Sequence, residues 1–180
     1  MKLVRNTGTD RVIDLLRPEL TAGRQLDVVT PTFSLFAFSE MLQEMAALAR
    51  CRLLLPPASA ELSVLGSDAD RAARNRLQTR WLAADLAQWL QGKAEVRRAF
   101  GAVPQGAFVV RDAAAQPLQV LLGSLAFSTD GLGLTPGNPL SLIHTSETLE
   151  EASLLSQWFD AQWSSLVRES KSVTSVTVKL

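Results

Sequence analysis

Histidine and cysteine are almost missing from the chain: His144 is the only histidine and Cys51 the only cysteine among 180 residues. One of each excludes a two-histidine zinc site and a four-cysteine site within a single chain. A cysteine–histidine catalytic pair would have to join Cys51 to His144. Cys51, however, opens the apolar stretch Cys51-Arg52-Leu53-Leu54-Leu55, which reads as a buried strand, so the thiol reads as a core group. No uninterrupted apolar run of about 18 or more residues occurs, and Met1–Gly8 lacks the apolar segment of a secretory signal. With a lone cysteine as well, the expectation is a reduced, cytoplasmic protein without membrane contact, metal or cofactor. An excess of one charge is lacking too. Eighteen Lys and Arg balance eighteen Asp and Glu, so affinity for a polyanion must come from local asymmetry. Gly131–Gly137 is glycine-rich but has no Gly-Lys-Ser/Thr, which excludes a P-loop.

Hydrophobic residues make up 47% of the chain, enough at this length for one substantial core and short for two. The expected organisation is one domain over residues 1–169 and a tail or truncated linker over 170–180, where Ser/Thr/Val alternation carries no helix signal. After Thr9 as a cap, Val12, Leu15, Leu16 and Leu20 recur at helical spacing, and Pro18 closes the helix. Gln25–Thr30 reads as a strand. Phe38, Met41, Leu42, Met45 and Leu48 form the stripe of a second helix, which leads into the strand at Cys51. Ser67 and Asp70 make an S-x-x-D cap for a long helix reaching Gln91 and stopping at Gly92. Both Trp81 and Trp89 read as core on that helix. Three strand-like runs follow. A last helix starts at Thr148, whose capping box is completed by Glu151. Strands alternating with helices predict an α/β fold with a mixed, largely parallel sheet flanked by helices on both faces.

Charge is uneven along the chain. From Arg71 to Arg98 there are seven cations against Asp85 and Glu95. Arg74, Arg76, Arg80, Arg97 and Arg98 are the candidate nucleic-acid contacts, and Arg76 and Arg80, four apart, share one helix face. A solvated helix face is the other reading of the same residues.

Three segments carry a further pattern: Gln105-Gly106-Ala107-Phe108-Val109-Val110-Arg111-Asp112, Val120 to Ser128 with Gly123-Ser124-Leu125-Ala126 at its centre, and Asn138-Pro139-Leu140 to His144. Their order resembles the core of the phospholipase D-like superfamily, in which His-x-Lys-x-x-x-x-Asp precedes Gly-Ser-x-Asn and then Asn-x-Glu. On that pattern Asp112, Gly123 and Ser124 match. The nucleophilic histidine is replaced by Gln105, the phosphate-binding lysine by Ala107, the asparagine by Ala126 and the glutamate by Leu140. Covalent phosphodiester chemistry needs the histidine to attack phosphorus and cationic and amide groups to hold the phosphate, and glutamine and alanine supply neither nucleophile nor charge.

Arg5–Arg11, Thr30–Phe38 and Gly131–Pro139 look like the phospholipase D-like domain at the N-terminus of bacterial Swi/Snf-type helicases associated with restriction and anti-phage defence. The resemblance implies a homodimer, and with the reactive residues replaced the expectation is a catalytically degenerate nucleic-acid-binding or protein-interaction module, its partner DNA or a helicase or restriction-system protein. The alternative it leaves open is a divergent nuclease or phosphodiesterase in which His144, the weak catalytic candidate, is contributed by each subunit.

Overall fold

Leu26, Val28, Cys51, Leu53, Phe108 and Val110 are apolar at alternate positions, and so are Val29, Leu54, Ala107 and Val109 between them. Strands that are apolar on both sides need cover on both sides, and that requirement organises the molecule. The computed structural model describes residues 1–57 and 76–166, excluding the side chains of 76–79. Seven strands form one sheet: β1 (Lys2–Val4), β2 (Gln25–Val29), β3 (Arg50–Leu55), β4 (Ala94–Arg98), β5 (Gly106–Arg111), β6 (Pro117–Gly123) and β7 (Ile143–Thr145), in the order β1-β7-β6-β5-β2-β3-β4. The first face packs on α1 (Val12–Leu16), α2 (Leu35–Glu40), α3 (Leu42–Ala47) and α4 (Arg76–Lys93). The second packs on α5 (Leu149–Ser165).

The sheet is mixed, as expected, but it is not largely parallel. Only β2–β3 and β3–β4 run parallel, and the other four pairings are antiparallel. The reason lies in Asp112–Gln116. A parallel pairing of β5 with β6 would need a crossover of a dozen or so residues. Instead the Asp112 carboxylate accepts from Gln116 N at 2.8 Å, Ala115 takes φ 62°, and the chain reverses in a tight hairpin.

Local signals explain two helix starts. Thr148 Oγ1 accepts from Glu151 N at 3.2 Å, and the Glu151 carboxylate reaches back to Glu147 N at 2.8 Å, so the capping box forms with its return bond one residue early. Ser34 caps α2 through Phe36 N and Ala37 N. Three expectations need correction. The second helix breaks at Met41 (φ −115°, ψ 16°) into α2 and α3. Thr9 does not cap α1, whose first amide, Val12 N, is met by Asn6 Oδ1 at 3.0 Å. Gly92 lies inside α4, which runs on to Lys93, where the ammonium donates to the Leu48 carbonyl at 2.8 Å. The Ser67–Asp70 cap lies outside the described residues, as does the 170–180 tail.

Helix α5 is held on its face by a buried ion cluster. Asp27, 2% exposed, lies opposite Arg52 in the β2–β3 register, and its carboxylate accepts from Arg52 Nε and Nη2, both at 2.6 Å, and from Arg111 Nε at 2.6 Å. Both arginines then reach Asp160 on α5, at 2.8 and 3.0 Å. The Arg52 guanidinium also lies 4.7 Å from the Phe159 ring centroid. Two arginines and two aspartates leave the cluster neutral, the condition for burying such charges.

Cys51 is fully buried, and that burial pushes its thiol well above the ordinary range, with Asp27 adding to the rise. Modification by a water-soluble thiol reagent at neutral pH is therefore expected to follow global unfolding, as a single event whose rate rises with denaturant. Fast labelling of the native protein would contradict the packing. Among the described residues, no helix is long and apolar enough to cross a membrane.

Candidate functional site

Strands β1, β2 and β6 end, and β5 and β7 begin, at one end of the sheet, and their loops enclose a cleft of about 240 Å³. The loop after β6 builds most of it. Gly123 takes φ 128°, a conformation open to glycine, and its Cα packs against the Leu142 carbonyl so closely that a Cβ there would overlap the oxygen. Ser124 N donates to that same carbonyl at 2.8 Å. The loop then locks onto the end of β2, where Phe127 N donates to Thr30 Oγ1 at 2.8 Å and the Phe127 ring stacks on Phe33 with centroids 4.6 Å apart. Ser128 Oγ donates to Asp130 Oδ1 at 2.6 Å and accepts from Gly131 N.

Asn6 ties the loop after β1 into this wall. In left-handed conformation (φ 56°), it donates from Nδ2 to the Asp130 and Gly131 carbonyls, each at 3.1 Å, while its Oδ1 takes the first amide of α1. Beside it, Arg5 is the one cation lining the cleft among the described residues. Its guanidinium makes no ion pair among them.

The cleft brings together Gln105, Ser124 and Ala126, the positions that match the histidine, serine and asparagine of the resembled pattern, together with Asn138. The remaining pattern residues lie elsewhere. Ala107 is buried in β5 toward α5, and Asp112 closes the hairpin at the opposite end of β5. His144 pairs with Leu3 and Leu122 across the sheet, and because Leu122 packs toward α5, the imidazole lies on that face and does not line the cleft. The lining therefore has amides, hydroxyls, one guanidinium and the Asp130 carboxylate, and no histidine or cysteine to act as nucleophile. Among the described residues no group of three His, Cys, Asp or Glu is placed to hold a metal.

The basic candidates separate by what they touch. Arg97 donates to the Trp163 carbonyl and, at 2.8 Å, to the Leu166 carbonyl, and stacks 4.5 Å from the Trp163 ring, so it caps the C-terminus of α5. Arg98 donates to the Pro56 carbonyl at 3.0 Å. Arg80 is exposed on α4 and makes no ion pair among the described residues. Arg74 and the Arg76 side chain lie outside the described part. Arg5 and Asn6 were not singled out as site residues from sequence. The carbonyls that Asn6 Nδ2 meets lie more than a hundred residues away, and only Asn6-Thr7-Gly8, a turn-prone triplet, marks the place.

Fold and cleft together define an α/β protein with a mixed, two-sided sheet and a polar pocket at its loop end. No protein-family model and no curated protein matches the chain.

Proposed function

We propose that this chain is a catalytically degenerate phospholipase D-like domain that binds nucleic acid without cleaving it, as a homodimer and in association with a helicase of a restriction or anti-phage system. The observation that carries the reading is the cleft, where Gln105, Ser124 and Ala126 converge beside Arg5, whose guanidinium makes no ion pair among the described residues. Arg5, with the hydroxyls and side-chain amides around a small pocket, suits a phosphodiester oxygen, and the lining holds no histidine to serve as the nucleophile of the resembled pattern. Arg80 on α4 adds a second exposed cation.

The test is a salt-titrated binding assay on DNA, run in EDTA and then with divalent metal, scoring binding and cleavage in the same samples. Binding that weakens steeply with salt and proceeds without cleavage is expected. Arg5→Ala and Arg80→Ala are each expected to flatten the log–log salt slope by about 1. Reproducible cleavage abolished by His144→Ala would overturn the non-catalytic reading. Absence of binding at low salt would overturn the nucleic-acid reading and point to a protein partner.

A further inference from the structure

The loop end of the sheet carries two aromatic side chains that the core does not absorb. Phe100 is 82% exposed on the β4–β5 connection, the same connection that places Pro104 and Gln105 in the cleft wall. Of the seven phenylalanines, the other six are buried or half-buried. Trp81 is 59% exposed on α4, directly after the exposed Arg80, whereas Trp89 on the same helix is buried and donates to the Met45 carbonyl. The sequence-based expectation of a core role holds for Trp89 and fails for Trp81.

Topology places Trp81 at the cleft end. Strands β3 and β4 are parallel, so the chain leaving the loop end of β3 must return along α4 to reach the start of β4. The early turns of α4, with Arg80 and Trp81, therefore belong to the end of the sheet where Phe100 and the cleft lie. Two cations without an acidic partner among the described residues, Arg5 and Arg80, occupy the same end.

An exposed ring offers a flat apolar face, and a partner with its own flat faces and regularly placed negative charge complements a set of rings and guanidinium groups. Duplex DNA keeps its base faces stacked inside, and an unpaired strand presents them. We infer that the chain selects single-stranded over double-stranded nucleic acid, stacking bases on Phe100 and Trp81 while Arg5 and Arg80 hold the phosphates. This rests on the nucleic-acid reading above and adds to it the form of nucleic acid and the residues that select it.

The experiment measures the affinity of the full chain for a fluorescent oligo(dT) and for a labelled duplex at one salt concentration. It compares the unmodified protein with Phe100→Ala, Trp81→Ala, the double variant and Phe100→Trp. Both side chains are exposed, and a thermal melt of each variant checks that the fold is kept. Each alanine is expected to weaken single-strand binding about tenfold and leave duplex binding unchanged. Phe100→Trp is expected to retain single-strand affinity and to show fluorescence quenching on binding. Single-strand affinity unaltered by both alanines overturns the stacking inference while the nucleic-acid reading stands, and so does an equal loss on duplex. No binding of either form by the unmodified protein overturns both.

Discussion

Asp27→Ala is expected to destabilise the protein by about 3–5 kcal/mol, the range for removing one partner of a buried ion cluster. The reason is what remains behind. Arg52 and Arg111 both aim at the Asp27 carboxylate, and the Arg111 side chain is only 6% exposed. Without Asp27, two guanidinium groups share Asp160, whose side chain is 46% exposed and cannot neutralise both. Asp160→Ala removes a carboxylate already screened by water and leaves the Asp27 contacts in place, so its expected cost is about 1 kcal/mol. Chemical denaturation of both variants checks the ordering. Equal costs, or a smaller cost at Asp27, would mean that unpaired buried charge at Arg52 and Arg111 does not set the stability of the cluster. Replacing Asp27, Arg52 and Arg111 together by apolar residues of similar volume is expected to cost far less than Asp27→Ala alone, since the penalty is that of unpaired charge.

Gly123→Ala is the second large effect. A side chain at φ 128° is strained by about 1–3 kcal/mol, and the new Cβ would overlap the Leu142 carbonyl oxygen, an atom of the backbone that cannot swing aside. Overpacking of this kind adds about 1–3 kcal/mol. A total near 3 kcal/mol lowers the melting temperature by about 6–12 °C in a chain of this size. Gly8→Ala is the control. Its φ is 60°, with nothing within 4 Å of the added carbon, so the expected cost is only about 1–2 kcal/mol. Because Ser124 N bonds the same Leu142 carbonyl, Gly123→Ala is also expected to displace the cleft wall. Nucleic-acid affinity should fall more than in Gly8→Ala when both are measured well below their melting temperatures. Similar melting temperatures for the two variants would show that the Leu142 contact is not restrictive.

Features written in neighbouring residues were legible from sequence. Thr148 and Glu151 announce the start of α5 because a cap bonds within one turn, and the apolar runs of β3, β5 and β6 lie where their composition puts them. What was missed depends on partners far along the chain. The β5–β6 pairing looks parallel or antiparallel according to a five-residue turn whose Asp112 cap has no loud signature. The break at Met41 interrupts a stripe that is continuous in sequence and buried in one core, so no residue pattern announces it. Trp81 matches a core pattern because it sits among leucines and alanines, and only the tertiary position of α4 leaves it in solvent. At the cleft, Gln105, Ser124 and Ala126 were brought forward by resemblance, while Arg5 and Asn6 became site residues only once β1 was seen beside β7.

That last placement has a kinetic meaning. The β2–β3–β4 half and the β5–β6–β7 half meet along a single ladder, β2 with β5, and the first strand of the chain crosses over to finish the sheet beyond β7. The β5–β6 hairpin can form from contacts close in sequence, but the β1–β7 ladder joins residues at opposite ends of the described chain. Loop closure over that distance is slow to nucleate, so β1 is expected to dock late, and the cleft, which needs Arg5 and Asn6 delivered by β1, is expected to form after the β5–β6 hairpin.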